Sequence, residues 1–209
     1  MVSGPTRGRR TQETTVPSTF RIPRNDMSSP FGRLVVAICR RLYGEVPDNA
    51  YVLAHDRKVA WSVFGFERKV AGWDALDPHL KSYAVMASAA VIGCSWCLDF
   101  GYYVAHEDGL NLDKVREVPR WRQSDVFSPL EREVMGYAEA MTSTPPTVTD
   151  EMSTSLREQL GTPALVELTM IIAVENERSR FNCAAGLASQ GYSDVCELPL
   201  AGTGTDMGR

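Results

Sequence analysis

Four prolines, each preceded by a residue with a short oxygen-bearing side chain, constrain this chain more than any other feature: Ser29-Pro30, Asp77-Pro78, Ser128-Pro129 and Thr162-Pro163. Proline fits the first position of an α-helix, where its missing N–H would have had no partner anyway. A Ser, Asp or Thr just before it accepts from the free N–H groups of the first turn. Ser128 and Glu131 add the spacing of a capping box. Between these marks, apolar residues recur at helical spacing. Leu34, Val35, Ile38 and Leu42 do so over residues 31–43, which stop at Gly44, and Val59, Val63, Phe66 and Val70 form one face over 58–70, ended near Gly72. A short helix is expected from Asp48. Residues 80–92 are apolar and Ala-rich, which predicts a helix buried on most sides, closed by a left-handed Gly93. The next helix runs from about Cys94 to Asp108. A short one near 111–118 and an irregular loop over 119–127 follow, then a helix after Ser128, its partner after Thr149, and a last long helix from Pro163 towards Leu187. No segment alternates as a strand should, so the fold class is all-α.

The composition agrees with one globular domain. An apolar fraction of 44% in 209 residues supplies a core without a disulfide scaffold, and a formal charge of −4 argues against a nucleic-acid partner. No apolar run approaches the roughly 18 to 20 residues that span a bilayer, so no membrane association is expected. Arg7, Arg9 and Arg10 are not followed by an apolar segment of the secretory kind, and a cytoplasmic protein is expected. Residues 1–28 are polar and proline-interrupted and are expected to be disordered, 29–196 to form the helical domain, and 197–209 to be a flexible Gly-rich tail. In a reducing compartment the five cysteines are expected to be free thiols apart from one redox pair.

That pair is Cys94 and Cys97, in Gly93-Cys94-Ser95-Trp96-Cys97. Two thiols three residues apart can close a small ring reversibly, and at the start of a helix the free N–H groups and the dipole favour the reactive thiolate. Two thiols merely packed in a helical core is the plainer reading. A zinc site would need further ligands, and Cys39, Cys183, Cys196, His55, His79 and His106 show no ligand spacing, so neither a metal nor a bound cofactor is expected.

The stretch from Ile92 to Cys97, after an Ala-rich helix opening with Leu80-Lys81-Ser82, resembles the signature of the carboxymuconolactone decarboxylase and AhpD-like alkylhydroperoxidase superfamily. So do 127–132, 137–141, 148–151 and 165–169 with Asn176 and Arg180, over roughly Phe31 to Tyr192. The resemblance implies an AhpD-like helical bundle with Cys-x-x-Cys at the start of a helix. It also implies a peroxiredoxin-type reaction in which Cys97 attacks a hydroperoxide or disulfide, Cys94 resolves, and an external thiol reductant restores the pair. A homo-oligomer goes with it. The family's proton relay uses a glutamate twelve residues before the first cysteine and a histidine four after the second; Ser82 and Gly101 stand there, and Trp96 replaces a polar residue between the cysteines.

Asp99, Tyr102 and His106, on the helix that follows, are the candidate substitutes for that relay. His106 lies nine residues beyond Cys97, about 13 Å along a helix. Either Asn176 and Arg180, one turn apart, tie helices or subunits together, or Arg180 or Arg178 supplies a positive charge near the thiols or binds an acidic substrate. Two rival functions stay open: a carboxymuconolactone decarboxylase-type lyase, for which the cysteine pair has no use, and a non-catalytic redox-sensing oligomer.

Overall fold

The computed structural model describes residues 17–196 and 200–201, and among these there is no strand. Nine α-helices follow one another: α1 Pro30–Tyr43, α2 Asp48–Leu53, α3 Arg57–Val70, α4 Pro78–Ile92, α5 Ser95–Glu107, α6 Leu112–Val115, α7 Pro129–Thr142, α8 Asp150–Leu160 and α9 Thr162–Ala185. None is long and apolar enough to cross a membrane.

The proline marks act as capping chemistry dictates at three of four positions. Ser29 Oγ accepts from Gly32 N, Asp77 from His79 N and Leu80 N, and Ser128 with Glu131 forms the full reciprocal box. At the fourth, α9 begins one residue early. Gly161 is the cap residue, Thr162 is already helical, and no side chain caps the end. The 119–127 segment also differs from the expected loop. Val118–Gln123 winds into a 3₁₀ turn because Val118 and Trp121 both have core to enter.

Helix α4 is the axis of the main core. Tyr83, Ala84, Met86, Ala87 and Ala89 are all fully buried, and the alanines let α5, α7 and α9 pack against α4. Gly93 ends α4 at φ 79°, and Cys94 N reaches back to Ala89 O. This reversal turns the chain directly into α5. Helices α1 and α2 build a smaller cluster around Met27, Cys39, Val46 and Ala54. The apolar face of α3 is largely uncovered among the described residues: Val70 is buried, but Val59 and Phe66, assigned to the same stripe, are 46% and 41% exposed.

One expectation at the chain ends needs correction. Residues 17–28 are ordered: Thr19 N bonds Gly186 O, Arg21 N bonds Ala185 O, Asn25 N bonds Tyr51 O, and Met27 is buried. The segment lacks a helical stripe but uses its backbone to satisfy the end of α9. The earlier part of the expected disordered segment lies outside the described residues. So does most of the expected flexible tail, of which Leu200 packs against the core and Ala201 N bonds Arg116 O.

Candidate active site

Cys94 and Cys97 are joined as a disulfide, with Cα atoms 5.3 Å apart. Cys94 is the N-cap of α5 and its sulfur accepts from Cys97 N at 3.2 Å. Cys97 sits in the first turn, so both sulfurs lie in the field of the unpaired N–H groups there. Both are buried in this state. From α9, Asn182 Nδ2 donates to Cys97 Sγ at 3.3 Å. Asn182 is 1% exposed, and its carbonyl oxygen has no hydrogen-bond partner among the described residues.

Sequence reasoning missed Asn182, although a signal was present. Glu175, Ser179 and Asn182 are buried polar residues at helical spacing, on one face of a helix whose other buried positions are mostly apolar. Ser179 Oγ donates to Glu175 at 2.6 Å. Burial pushes the Glu175 carboxyl up to about 7, against the opposing pull of Arg178 and the Ser179 hydroxyl. Arg178 bonds Glu67 on α3 and lies 3.5 Å from Glu175.

The candidate relay residues have other employment. The carboxylate of Asp99 accepts from the backbone N–H groups of Gln190, Gly191, Tyr192 and Ser193 and from the Ser193 hydroxyl. It is the anchor of the 190–193 loop, with no lone pair left for a proton path. That loop covers the first turn of α5: Gln190 Oε1 accepts from the indole N–H of Trp96, and Tyr192 meets Trp96 edge-on. Tyr102 is fully buried, and burial pushes its hydroxyl up to about 12, so it stays protonated at neutral pH. His106 is in the last turn of α5 beside Glu107, far along the helix from the sulfurs.

Asn176 and Arg180 both bond to the end of α7. Asn176 Nδ2 donates to Thr142 Oγ1 and Ile172 O, and Arg180 reaches Thr142 O and Thr144 Oγ1, so both fasten α9 to the end of α7. The relay positions are equally unlike the family pattern. Ser82 lies on α4, and at Gly101 an added Cβ would meet Met86 Cγ at 3.3 Å.

The remaining thiols lie in less activating surroundings. Burial raises Cys39, Cys183 and Cys196 above the usual thiol range, and Asp99 and Glu107 push Cys196 further the same way. A shallow cavity of about 370 Å³ lies between Ala87, Ala90 and Val91 of α4 and the Pro119–Gln123 turn. Its cations are already neutralised: Arg120 pairs with Glu117, and Arg122 with Glu139.

The family model for carboxymuconolactone decarboxylase matches residues 57–140, which contain the cysteine pair. The protein YnjA of Escherichia coli is 35% identical over 159 residues, covering 76% of this chain and 81% of its own length. Among solved structures, the debrominase Bmp8 in complex with 2,3,4-tribromopyrrole superposes with a TM-score of 0.73 at 19% identity, covering 85% of this chain and 96% of that one. An alkylhydroperoxidase AhpD core protein from Ralstonia eutropha gives 0.69 at 16% identity, over 86% and 97%. At these identities the two structures speak for the fold.

Proposed function

Since the chain belongs to the carboxymuconolactone decarboxylase and AhpD-like superfamily, we propose that it is a thiol-dependent oxidoreductase of the alkylhydroperoxidase type, with Cys97 as nucleophile and Cys94 as resolving thiol. The observation that carries this reading is the Cys94–Cys97 disulfide closed at the first turn of α5.

In the first step the Cys97 thiolate attacks the distal oxygen of a hydroperoxide. The O–O bond breaks, the alkoxide leaves and is protonated to an alcohol, and Cys97 becomes a sulfenic acid. The Cys94 thiolate then attacks that sulfur, the S–S bond forms, and hydroxide leaves as water. An external dithiol returns two electrons by exchange and is itself oxidised to a disulfide. Opening the S–S bond frees Cys94 to accept from Cys97 N as a thiolate, the geometry already present in the turn. No bound cofactor is required. A reducing cytoplasm supplies such reductants, and self-association would give the exposed apolar residues of α3 a partner.

The test combines peptide mapping with turnover. Mild oxidant should convert the reduced chain to the Cys94–Cys97 disulfide, an organic hydroperoxide should be consumed in proportion to dithiol, and Cys97→Ser should abolish consumption. Both thiols remaining free after oxidation would overturn the reading. Decarboxylation of a small carboxylated lactone that survives Cys97→Ser would establish the lyase instead. A disulfide that forms readily without any turnover would leave the redox sensor.

A further inference from the structure

We infer that Asn182 is a catalytic residue of this thiol chemistry: its amide N–H holds negative charge on Cys97 Sγ and so decides which of the two sulfurs reacts, while its free carbonyl oxygen accepts from the hydroxyl of an incoming hydroperoxide. The inference rests on the thiol reading above.

The two sulfurs are not in equivalent surroundings. Cys94 as N-cap receives a backbone donor, Cys97 N, whereas Cys97 receives the side-chain N–H of Asn182. Without Asn182, only Cys94 would have a directed donor among the described residues, and Cys94 is the more deeply buried, at 1% against 6% exposed. The sulfur that substrate reaches more easily would then be the less ionised. An amide N–H pointed at Cys97 gives each sulfur one donor, a bond that is about twice as strong to a charged acceptor as to a neutral one, and the lesser burial of Cys97 then makes it the more readily ionised.

The other half of the amide points to the same use. A buried polar oxygen left without a partner is costly, and asparagine is a poor choice for a helix interior. A leucine of similar size would serve packing better. The Asn182 oxygen is unpartnered among the described residues although its helix neighbours Glu175 and Ser179 satisfy each other. An acceptor held on the group that touches the nucleophile can orient a hydroperoxide through its O–H, which places the distal oxygen toward the sulfur. Dialkyl peroxides, which have no O–H, would forgo this contact.

The experiment uses the full reduced chain and follows iodoacetamide alkylation of each cysteine by peptide mass across pH. Within one turn of Cys97 on α5 the ionisable groups are Cys94 and Asp99, whose carboxylate is held by the 190–193 loop. Asn182 faces Cys97 from α9, with Ser179 and Glu175 one and two turns away. Asn182→Leu should raise the alkylation midpoint of Cys97 by about one unit and cut its rate at neutral pH roughly tenfold, with Cys39 unchanged as an internal reference. Asn182→Asp, nearly isosteric but anionic, should raise the midpoint further. A Cys97 midpoint unaltered in both variants, with the disulfide still forming, would overturn this inference and leave the thiol reading intact. Failure of the wild-type chain to form the disulfide would instead remove the thiol reading. A third measurement does not depend on how the Asn182 variants fold. Cys97 in the Cys94→Ser chain should ionise at lower pH than Cys94 in the Cys97→Ser chain, and the reverse order would also overturn the inference.

Discussion

Met86 fills the space that Gly101 leaves open: a Cβ on Gly101 would sit 3.3 Å from Met86 Cγ. Glycine inside a helix is unfavourable by about 1 kcal/mol relative to alanine, so its presence here goes with the packing of a fully buried Met86 one turn beyond Ser82. The two positions where the family keeps its relay are therefore linked through one methionine. Adding Glu at Ser82 and His at Gly101 should not restore a relay by itself, since the imidazole would have to displace Met86. Ser82→Glu and Gly101→His combined with Met86→Ala should raise hydroperoxide turnover, with general acid-base help typically worth about 10²- to 10⁴-fold. A double variant that already gains this much, with Met86 in place, would show the methionine to be no obstacle. Wild-type turnover is expected to be slow, and steady-state kinetics of the three chains checks it.

The ordered approach to α1 predicts a stepped response to truncation. Extending a deletion from residue 16 to residue 26 removes the bonds of Thr19 and Arg21 to the end of α9, the Ser18–Asp48 contact and the Asn25–Tyr51 bond. Each net hydrogen bond is worth about 0.5 to 1.5 kcal/mol. The longer deletion should therefore lower the melting temperature by several degrees relative to the shorter one, as thermal unfolding of the two chains would reveal. Equal stabilities would mean that the segment only rests on the surface.

The helices were legible because their signals are local. A cap and the proline after it lie within one turn, and Gly93 at φ 79° needs only its own backbone to reverse the chain. What failed was non-local. Periodicity shows α3 to be amphipathic, but not that Val59 and Phe66 stay exposed among the described residues. Its place two residues past Cys97 makes Asp99 a candidate proton relay. Its actual partners are more than ninety residues later, in a loop with no motif of its own. Asn182 is 85 residues from the sulfur it touches. A polar stripe on an apolar helix is its trace in the sequence, and Asn176 and Arg180 on the same helix are the more conspicuous polar residues.

Asp99 offers a direct separation of anchoring from proton transfer. Its two oxygens collect four backbone donors and one hydroxyl, and an amide at that position would turn an NH₂ toward N–H groups. Asp99→Asn should destabilise the fold by about 2 to 4 kcal/mol, through lost charge-assisted bonds and newly unpaired buried groups. Hydrogen exchange in residues 190–193 should rise, and Trp96 fluorescence should change as Gln190 is released. A relay role would look different. Turnover would fall while the melting temperature and the protection of 190–193 stayed as in the wild type.

Glu175 should make stability fall with rising pH. In the unfolded chain its carboxyl ionises near 4.5, whereas burial holds it up to about 7 in the fold. Between those values the folded state keeps a proton that the unfolded state has lost, so each step up in pH favours unfolding. The effect is absent below about 4.5, grows until about 7 and is constant above it. A difference of this size corresponds to about 3 kcal/mol at one pKa unit per 1.36 kcal/mol. Glu177 is raised by burial too and acts in the same direction, so the slope of the wild type alone does not isolate Glu175. Glu175→Gln does, because it keeps an acceptor for the Ser179 hydroxyl and leaves Arg178 its bonds to Glu67. Urea unfolding at pH 5 and pH 8 should show the wild type losing about 2 kcal/mol or more beyond Glu175→Gln over that interval, the part of the effect that lies above pH 5. Parallel losses in the two chains would mean that Glu175 is ionised throughout, held as a carboxylate by Arg178 at 3.5 Å.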